Sequence, residues 1–290
     1  MDDLTPGLSL RQAASETCLQ IPGAPNALAA RMIQRYGYEA MYLSGAALSA
    51  GDFALPDVGL FTLTELAEKT RRLTAASSVP LIVDADTGFG EAINVQRTVD
   101  ELQRAGAAAI QLEDQVLPKR CGHLSGKTLV EPAAMCAKLR AAASARGNGD
   151  LVIIARTDAR SGEGFAAAVA RAKQYLEAGA DWIFPEALES EEEFSLFVAA
   201  IDAPLIANMT EFGKSPLLQF QTLADMGYAG VLYPVTLLRV AARAMELALA
   251  MLSSEGTQGE LLEVMQTREE LYDLLDYDDF EERDREYFGE

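Results

Sequence analysis

The sequence predicts an α/β protein folded as a (β/α)8 TIM-type barrel with extra C-terminal helices. Eight short apolar runs recur along the chain, and each is apolar on both faces rather than on alternate residues. Between them lie segments of helical periodicity, such as Glu91–Gly106 and Glu163–Gly179, each ending on a glycine. Strands buried on both faces and alternating with helices make a parallel sheet covered by helices. Eight such units within about 240 residues suit a closed barrel better than an open sheet.

The expected strands, in order, are CLQI (18–21), AMYL (40–43), PLIVDAD (80–86), AAAIQLED (107–114), LVIIARTD (151–158), DWIFPEA (181–187), PLIANMT (204–210) and AGVLYPV (229–235). The step from Leu112 to Ala155 is 43 residues, against 29 from Val83 to Leu112 and 29 from Ala155 to Phe184. Its surplus is the polar stretch QVLPKRCGHLSGK after the fourth strand, which reads as a lid at the catalytic end of a barrel. The barrel is expected over residues 1–240. Residues 241–290 form a helical extension, with a helix around Ala241–Ser253, another around Gln258–Leu275, and a frayed acidic tail. From Glu255 onward there are 14 acidic and 3 basic residues, the pattern of a solvated face.

The 290 residues carry 24 Lys+Arg against 44 Asp+Glu, a net charge of −20 that repels nucleic acid and anionic membrane. The longest uncharged stretch, Thr17 to Ala30, falls short of the roughly 20 apolar residues a membrane span needs. The start, MDDLTPG, has neither the basic nor the apolar region of a signal peptide. Three cysteines form no even framework, so a reducing cytoplasm is expected. With His123 the only histidine, His-rich zinc sites are excluded.

Side chains two apart in a strand share a face. Asp84 and Asp86 therefore point together, as do Gln111 with Glu113, Arg156 with Asp158, and Asn208 with Thr210, while Glu186 closes the sixth strand. Five apolar strands thus end in polar groups at one rim, the rim where barrel enzymes hold their active sites. Asp84, Asp86 and Glu113 would repel one another unless a cation joins them. Oxygen ligands without histidine suit a hard divalent ion, Mg²⁺ (with Mn²⁺ as substitute), which would also let an anionic di- or tricarboxylate bind. In the lid, Lys119, Arg120 and His123 surround Cys121, an arrangement expected to ease proton loss and to suit a general acid or a nucleophile. Ser44, Gly45 and Ala46 offer a hydroxyl and backbone N–H groups for a carboxylate. Trp182, Phe53 and Phe89 read as packing.

KRCGH after a strand ending LEDQ, the strand VDADTGFG and the turn YLSGA together resemble the isocitrate lyase/phosphoenolpyruvate mutase superfamily. Within it, FPEAL, IANMTEFGKSP, LYPVTLLR and the C-terminal EGTQ…MQTREELYDLLDY are similar to the 2-methylisocitrate lyase branch. The resemblance implies a Mg²⁺-dependent carbon–carbon lyase that yields pyruvate and succinate in propionate breakdown. It implies Asp84 as the direct metal ligand, with Asp57, Asp86 and Glu113 holding the ion's waters. Ser44, Gly45 and Ala46 would bind the pyruvate half. Arg156, Glu186, Asn208, Thr210, Arg239, Gly122 and His123 would surround the succinate half. Tyr42 would take the hydroxyl proton and Cys121 would reprotonate carbon. It further implies a homotetramer whose subunits exchange a helix. Phe89 stands where the branch commonly has Trp. Two other classes remain at this point: a lyase or decarboxylase acting on isocitrate, oxaloacetate or a related diacid, and a non-catalytic acidic scaffold.

Overall fold

A computed structural model describes residues 4–124, 126–147 and 149–289. All eight expected runs are strands: β1 (Leu19–Pro22), β2 (Met41–Leu43), β3 (Leu81–Asp84), β4 (Ala109–Glu113), β5 (Val152–Thr157), β6 (Trp182–Pro185), β7 (Ile206–Asn208) and β8 (Gly230–Tyr233). Every ladder is parallel, in the orders β2-β3-β4-β5-β6 and β1-β8-β7. Two isolated parallel bridges, Gly23 with Tyr42 and Ile183 with Leu205, join these arcs into a ring. The ring closes, as in a TIM-type barrel.

Strand parity divides the core in two. Ile82, Ala109, Val152, Ile154, Trp182, Phe184, Ile206 and Leu232 form one buried cluster with Leu10 from the first helix, Pro6–Glu16. This cluster fills the barrel's interior. The alternate residues, among them Val83, Ile110, Ile153, Ile183, Ala207 and Val231, pack outward against helix residues such as Val95, Leu139 and Phe194. Continuing the interior parity past the cluster reaches Asp84, Gln111, Glu113, Arg156, Glu186 and Asn208. All six are buried.

The helices between strands follow their caps. Leu63–Ala76 starts with a capping box, in which Thr62 and Glu65 satisfy each other's backbone N–H. Ala92–Arg104 and Phe165–Glu177 end before Gly106 and Gly179, both at positive φ. Between β4 and the helix Pro132–Arg146 the inserted segment forms a flap. Its neck is an antiparallel bridge between Gln115 and Leu129, and the Gln115 side chain pairs with both backbone groups of Arg120 at 2.8 and 2.9 Å.

The chain divides into two compact units, Met1–Leu238 and Arg239–Glu290. The helix that begins at Thr236 runs to Glu255, longer than expected. The expected helix over Gln258–Leu275 is instead broken: a 3-10 turn spans Gly259–Val264, Met265 is extended, and a Thr267 capping box starts Arg268–Leu274. The tail expected to fray is helical over Tyr277–Phe288. Within the second unit Val240, Met245, Leu247 and Leu249 are exposed. Among the described residues no helix is long and apolar enough to cross a membrane.

Candidate active site

The acids of β3 and β4 converge at the rim. Asp84 accepts from the Gly45 N–H at 3.0 Å, from the Asp86 N–H at 3.2 Å and from Gln111 Nε2 at 3.3 Å. A Cβ on Gly45 would lie 3.2 Å from both Asp84 Oδ2 and Asp86 Oδ1, so only glycine leaves these carboxylates their shared space. Glu113 Oε1 is buried with no hydrogen-bond partner. Burial pushes Asp86 up to about 7, against the pull of Lys119 and with the charge of Asp84 adding to it. Burial likewise raises Glu113 well above its ordinary value despite Arg156 and Lys119. These carboxylates are short of positive charge.

The cation beside them here is Lys119. Its ammonium bonds Asp57 and lies 2.8 Å from Asp86 Oδ1, and its side chain is almost wholly buried. Burial would lower this lysine, but Glu113, Asp86, Asp84 and Asp57 raise it. Lys119 thus stands on the carboxylate bed, and Asp57 is held by that lysine. Tyr42 stands on the same bed. Its hydroxyl donates to Gln111 Oε1 at 2.6 Å, and burial followed by the charge of Asp84 holds it well above the usual phenol value.

The opposite half of the rim is densely paired. Arg156 gives two hydrogen bonds to Asp158, at 3.0 and 3.1 Å, and lies 3.2 Å from Glu186 and 3.5 Å from Glu113, with its guanidinium 5.3 Å from the Phe184 ring centre. His123 Nδ1 accepts from the Lys214 N–H at 2.9 Å, so Nε2 carries the proton toward Glu186 Oε1 at 2.8 Å. Asn208 Nδ2 donates to both Glu186 oxygens at 3.3 Å. Burial alone would raise Glu186, but Arg156, His123 and Lys127 hold it below the usual carboxylate range. His123, like Lys119, is paired with a carboxylate of the barrel. Cys121 itself is exposed, while its neighbour Gly122 is buried so tightly that a Cβ would overlap Arg156 and Glu186.

The other expected residues take these places. Ser44 caps the helix Gly45–Phe53 by accepting from the Ala47 N–H. With the Gly45 N–H taken by Asp84, Ala46, half-buried beside it, follows in the first turn. Arg120 is exposed and anchored through its backbone. Thr210 is half-buried just beyond β7. Arg239 is exposed and belongs to the second compact unit. Phe89 packs edge-on against Phe61 at 5.9 Å. Sequence reasoning missed Asp114, which accepts from Thr157, from the Asp158 N–H and from Tyr175 at 2.8–2.9 Å. It also missed Lys127. Adjacency to Glu113 was the one signal for Asp114, and Lys127 had none beyond its place in the flap segment.

The donor set fits a hard divalent cation. Among the described residues no three His, Cys, Asp or Glu side chains form a direct metal cage. Mg²⁺ takes one or two carboxylates and keeps several waters, and the bed supplies clustered oxygens with an orphaned Glu113 Oε1.

The comparisons with known proteins agree with this barrel. Residues 10–253 match the phosphoenolpyruvate phosphomutase family. The structure of 2,3-dimethylmalate lyase, a PEP mutase/isocitrate lyase superfamily member, superposes with a TM-score of 0.92 at 34% identity, covering 98% of this chain and 96% of that one. A phosphonopyruvate hydrolase complex with oxalate and Mg²⁺ superposes at 0.85 with 29% identity, covering 98% and 99%. The fold and site thus define a member of the phosphoenolpyruvate mutase/isocitrate lyase superfamily. The 2-methylisocitrate lyase of Aeropyrum pernix is 54% identical over 282 residues, 97% of this chain and 91% of that protein. Within the superfamily, the chain belongs to the 2-methylisocitrate lyase family of carbon–carbon lyases.

Proposed function

We propose that the protein cleaves 2-methylisocitrate to pyruvate and succinate, with Mg²⁺ as its cofactor and propionate breakdown as its setting. The carrying observation is one rim that joins a cation-poor carboxylate bed to a cation-rich arginine cluster beneath a cysteine flap. Asp84, Asp86 and Glu113 would hold the ion, and Asp57, paired to Lys119, backs them. When bound, Mg²⁺ polarises the substrate's hydroxy-carboxylate oxygens. The phosphonopyruvate hydrolase complex named above, with oxalate and Mg²⁺, supports this reading by its likeness.

The chain's own groups carry the rest. The substrate's hydroxyl proton passes to the carboxylate bed. The C–C bond then breaks. Its electron pair moves to the carbon that becomes the α-carbon of succinate, and the alkoxide becomes the ketone of pyruvate. Arg156, His123 and Asn208 face the carboxylates of the leaving half and stabilise its added negative charge. Cys121 gives its proton to that carbon, and solvent returns one to sulfur. A proton donor needs no cations crowded on the thiol, in keeping with where Lys119 and His123 point. The neutral Tyr42 orients Gln111 against Asp84.

The exposed apolar side chains of Val240, Met245, Leu247 and Leu249 support assembly into a homotetramer, and the three cysteines, which form no even framework, support a cytoplasmic enzyme. The test is pyruvate release from 2-methylisocitrate, isocitrate and oxaloacetate, with and without EDTA. Turnover is expected on 2-methylisocitrate foremost, lost on chelation, and reduced about 10²–10⁴-fold by Cys121→Ser with substrate affinity retained. Wild-type turnover in Cys121→Ser would refute the acid assignment.

A further inference from the structure

One flap lysine has no part in the chemistry above. Lys127 lies in a stretch that faces solvent, with Leu124 57% exposed and Gly126 and Thr128 exposed, yet its own side chain is 3% exposed. Its ammonium donates to the Gly122 carbonyl and to Asp158 Oδ1, the latter at 2.7 Å. Burying an ammonium is costly unless it is paired, so this inward turn needs the pair it makes. The acceptor is rigid. Asp158 is fully buried, takes two hydrogen bonds from Arg156, and donates its N–H to Asp114 Oδ1 at 2.9 Å. Asp114 is fixed in turn by Thr157 and Tyr175.

Lys119 makes a matching contact at the other end of the same segment, on Asp57 and Asp86. Two buried ammonium groups, eight residues apart, thus bracket Cys121, Gly122 and His123. Of the two, Lys127 is the one that bonds the backbone of that tripeptide, and it does so at Gly122, where an added Cβ would overlap Arg156 and Glu186.

We propose that Lys127 is a positioning residue for the lyase reaction: by tying the Gly122 carbonyl to Asp158, it sets where Cys121 stands over the substrate. The proposal rests on reading Cys121 as the proton donor. Without the tie the flap stays anchored at Lys119 but loses its second support. Proton delivery then fails by misplacement, while the carboxylate-binding groups on the strands stay in place.

The experiment uses the full chain with Mg²⁺ and compares Lys127→Met and Lys127→Arg with wild type. One readout is pyruvate release from 2-methylisocitrate. The other, made without substrate, is limited tryptic cleavage after Lys119 or Arg120, identified by mass and set against cleavage elsewhere. Lys127→Met should lower kcat about 10²-fold with KM changed about threefold or less. Its flap should be cut about tenfold faster with no increase at other sites. Lys127→Arg, whose guanidinium can span the same two acceptors, should recover most of both. Wild-type kcat and flap cleavage in Lys127→Met would overturn the proposal. So would uniform acceleration of cleavage with no rescue by arginine, which marks a general loss of stability. If Lys127→Met does not fold, Lys127→Gln carries the same comparison. If wild type releases no pyruvate, the lyase reading fails, while the cleavage comparison still judges the tie.

Discussion

Glu113 and Glu186 are the same side chain at the tips of two barrel strands, 2% and 1% exposed, and they differ in opposite directions from an ordinary glutamate. Burial raises Glu113, whose Oε1 has no partner and whose nearest guanidinium nitrogen lies 3.5 Å from Oε2. Burial acts on Glu186 too, but Arg156 at 3.2 Å and His123 at 2.8 Å outweigh it. The desolvation cost is shared, so the number of cations in reach decides the state of each acid. One half of the rim has less positive charge than its acids call for, and the other is fully paired.

The largest test breaks the complete half. Glu186→Gln removes a carboxylate from a buried ionic cluster and should destabilise the protein by about 3 kcal/mol, read by urea unfolding. An unchanged midpoint would show that the two halves do not differ. Next comes the pH dependence of Mg²⁺ stabilisation. Asp86 is raised from 3.8 to about 7, so between those values the unfolded chain is ionised where the folded, metal-free one is not. That difference costs stability as pH rises, and the loss is complete above about 7. A divalent cation offsets it. The Mg²⁺-induced rise in Tm, several degrees at saturation, should therefore be larger at pH 8 than at pH 6. An equal or reversed shift would place the ion elsewhere.

Glu113→Gln sharpens the comparison by its sign. Replacing a carboxyl whose ionised form burial penalises should stabilise the metal-free protein by about 1 kcal/mol while shrinking the Mg²⁺ shift and lowering turnover. The smallest effect belongs to a control outside both halves. Thr62→Ala breaks the capping box of the helix Leu63–Ala76, should cost about 1 kcal/mol in thermal or urea unfolding, and should leave KM unchanged.

Local repetition explains what could be read in advance. Ile82–Asp84 and Ile154–Arg156 obey the two-residue period of a strand, so residues that line the interior lower down become the rim higher up, and apolar runs mark where each strand lies. The flap obeys no such period. Lys119 meets Asp57 across 62 positions, Lys127 meets Asp158 across 31, and His123 meets Lys214 across 91. Adjacency in KRCGH suggested that the cations serve the thiol, whereas folding sends Lys119 and His123 to separate barrel partners. The C-terminal break at Met265 escaped notice because the apolar spacing runs on through it, and only the Thr-x-x-Glu of Thr267 and Glu270 marks a restart.

The single imidazole of the chain sits where the flap meets the β7 loop, with each ring nitrogen engaged by a different segment. Its ring protons therefore stand alone in a magnetic resonance spectrum, with no second histidine to assign or remove. The protein carries its own label at that junction, and any exchange there can be followed on unmodified material through that one resonance.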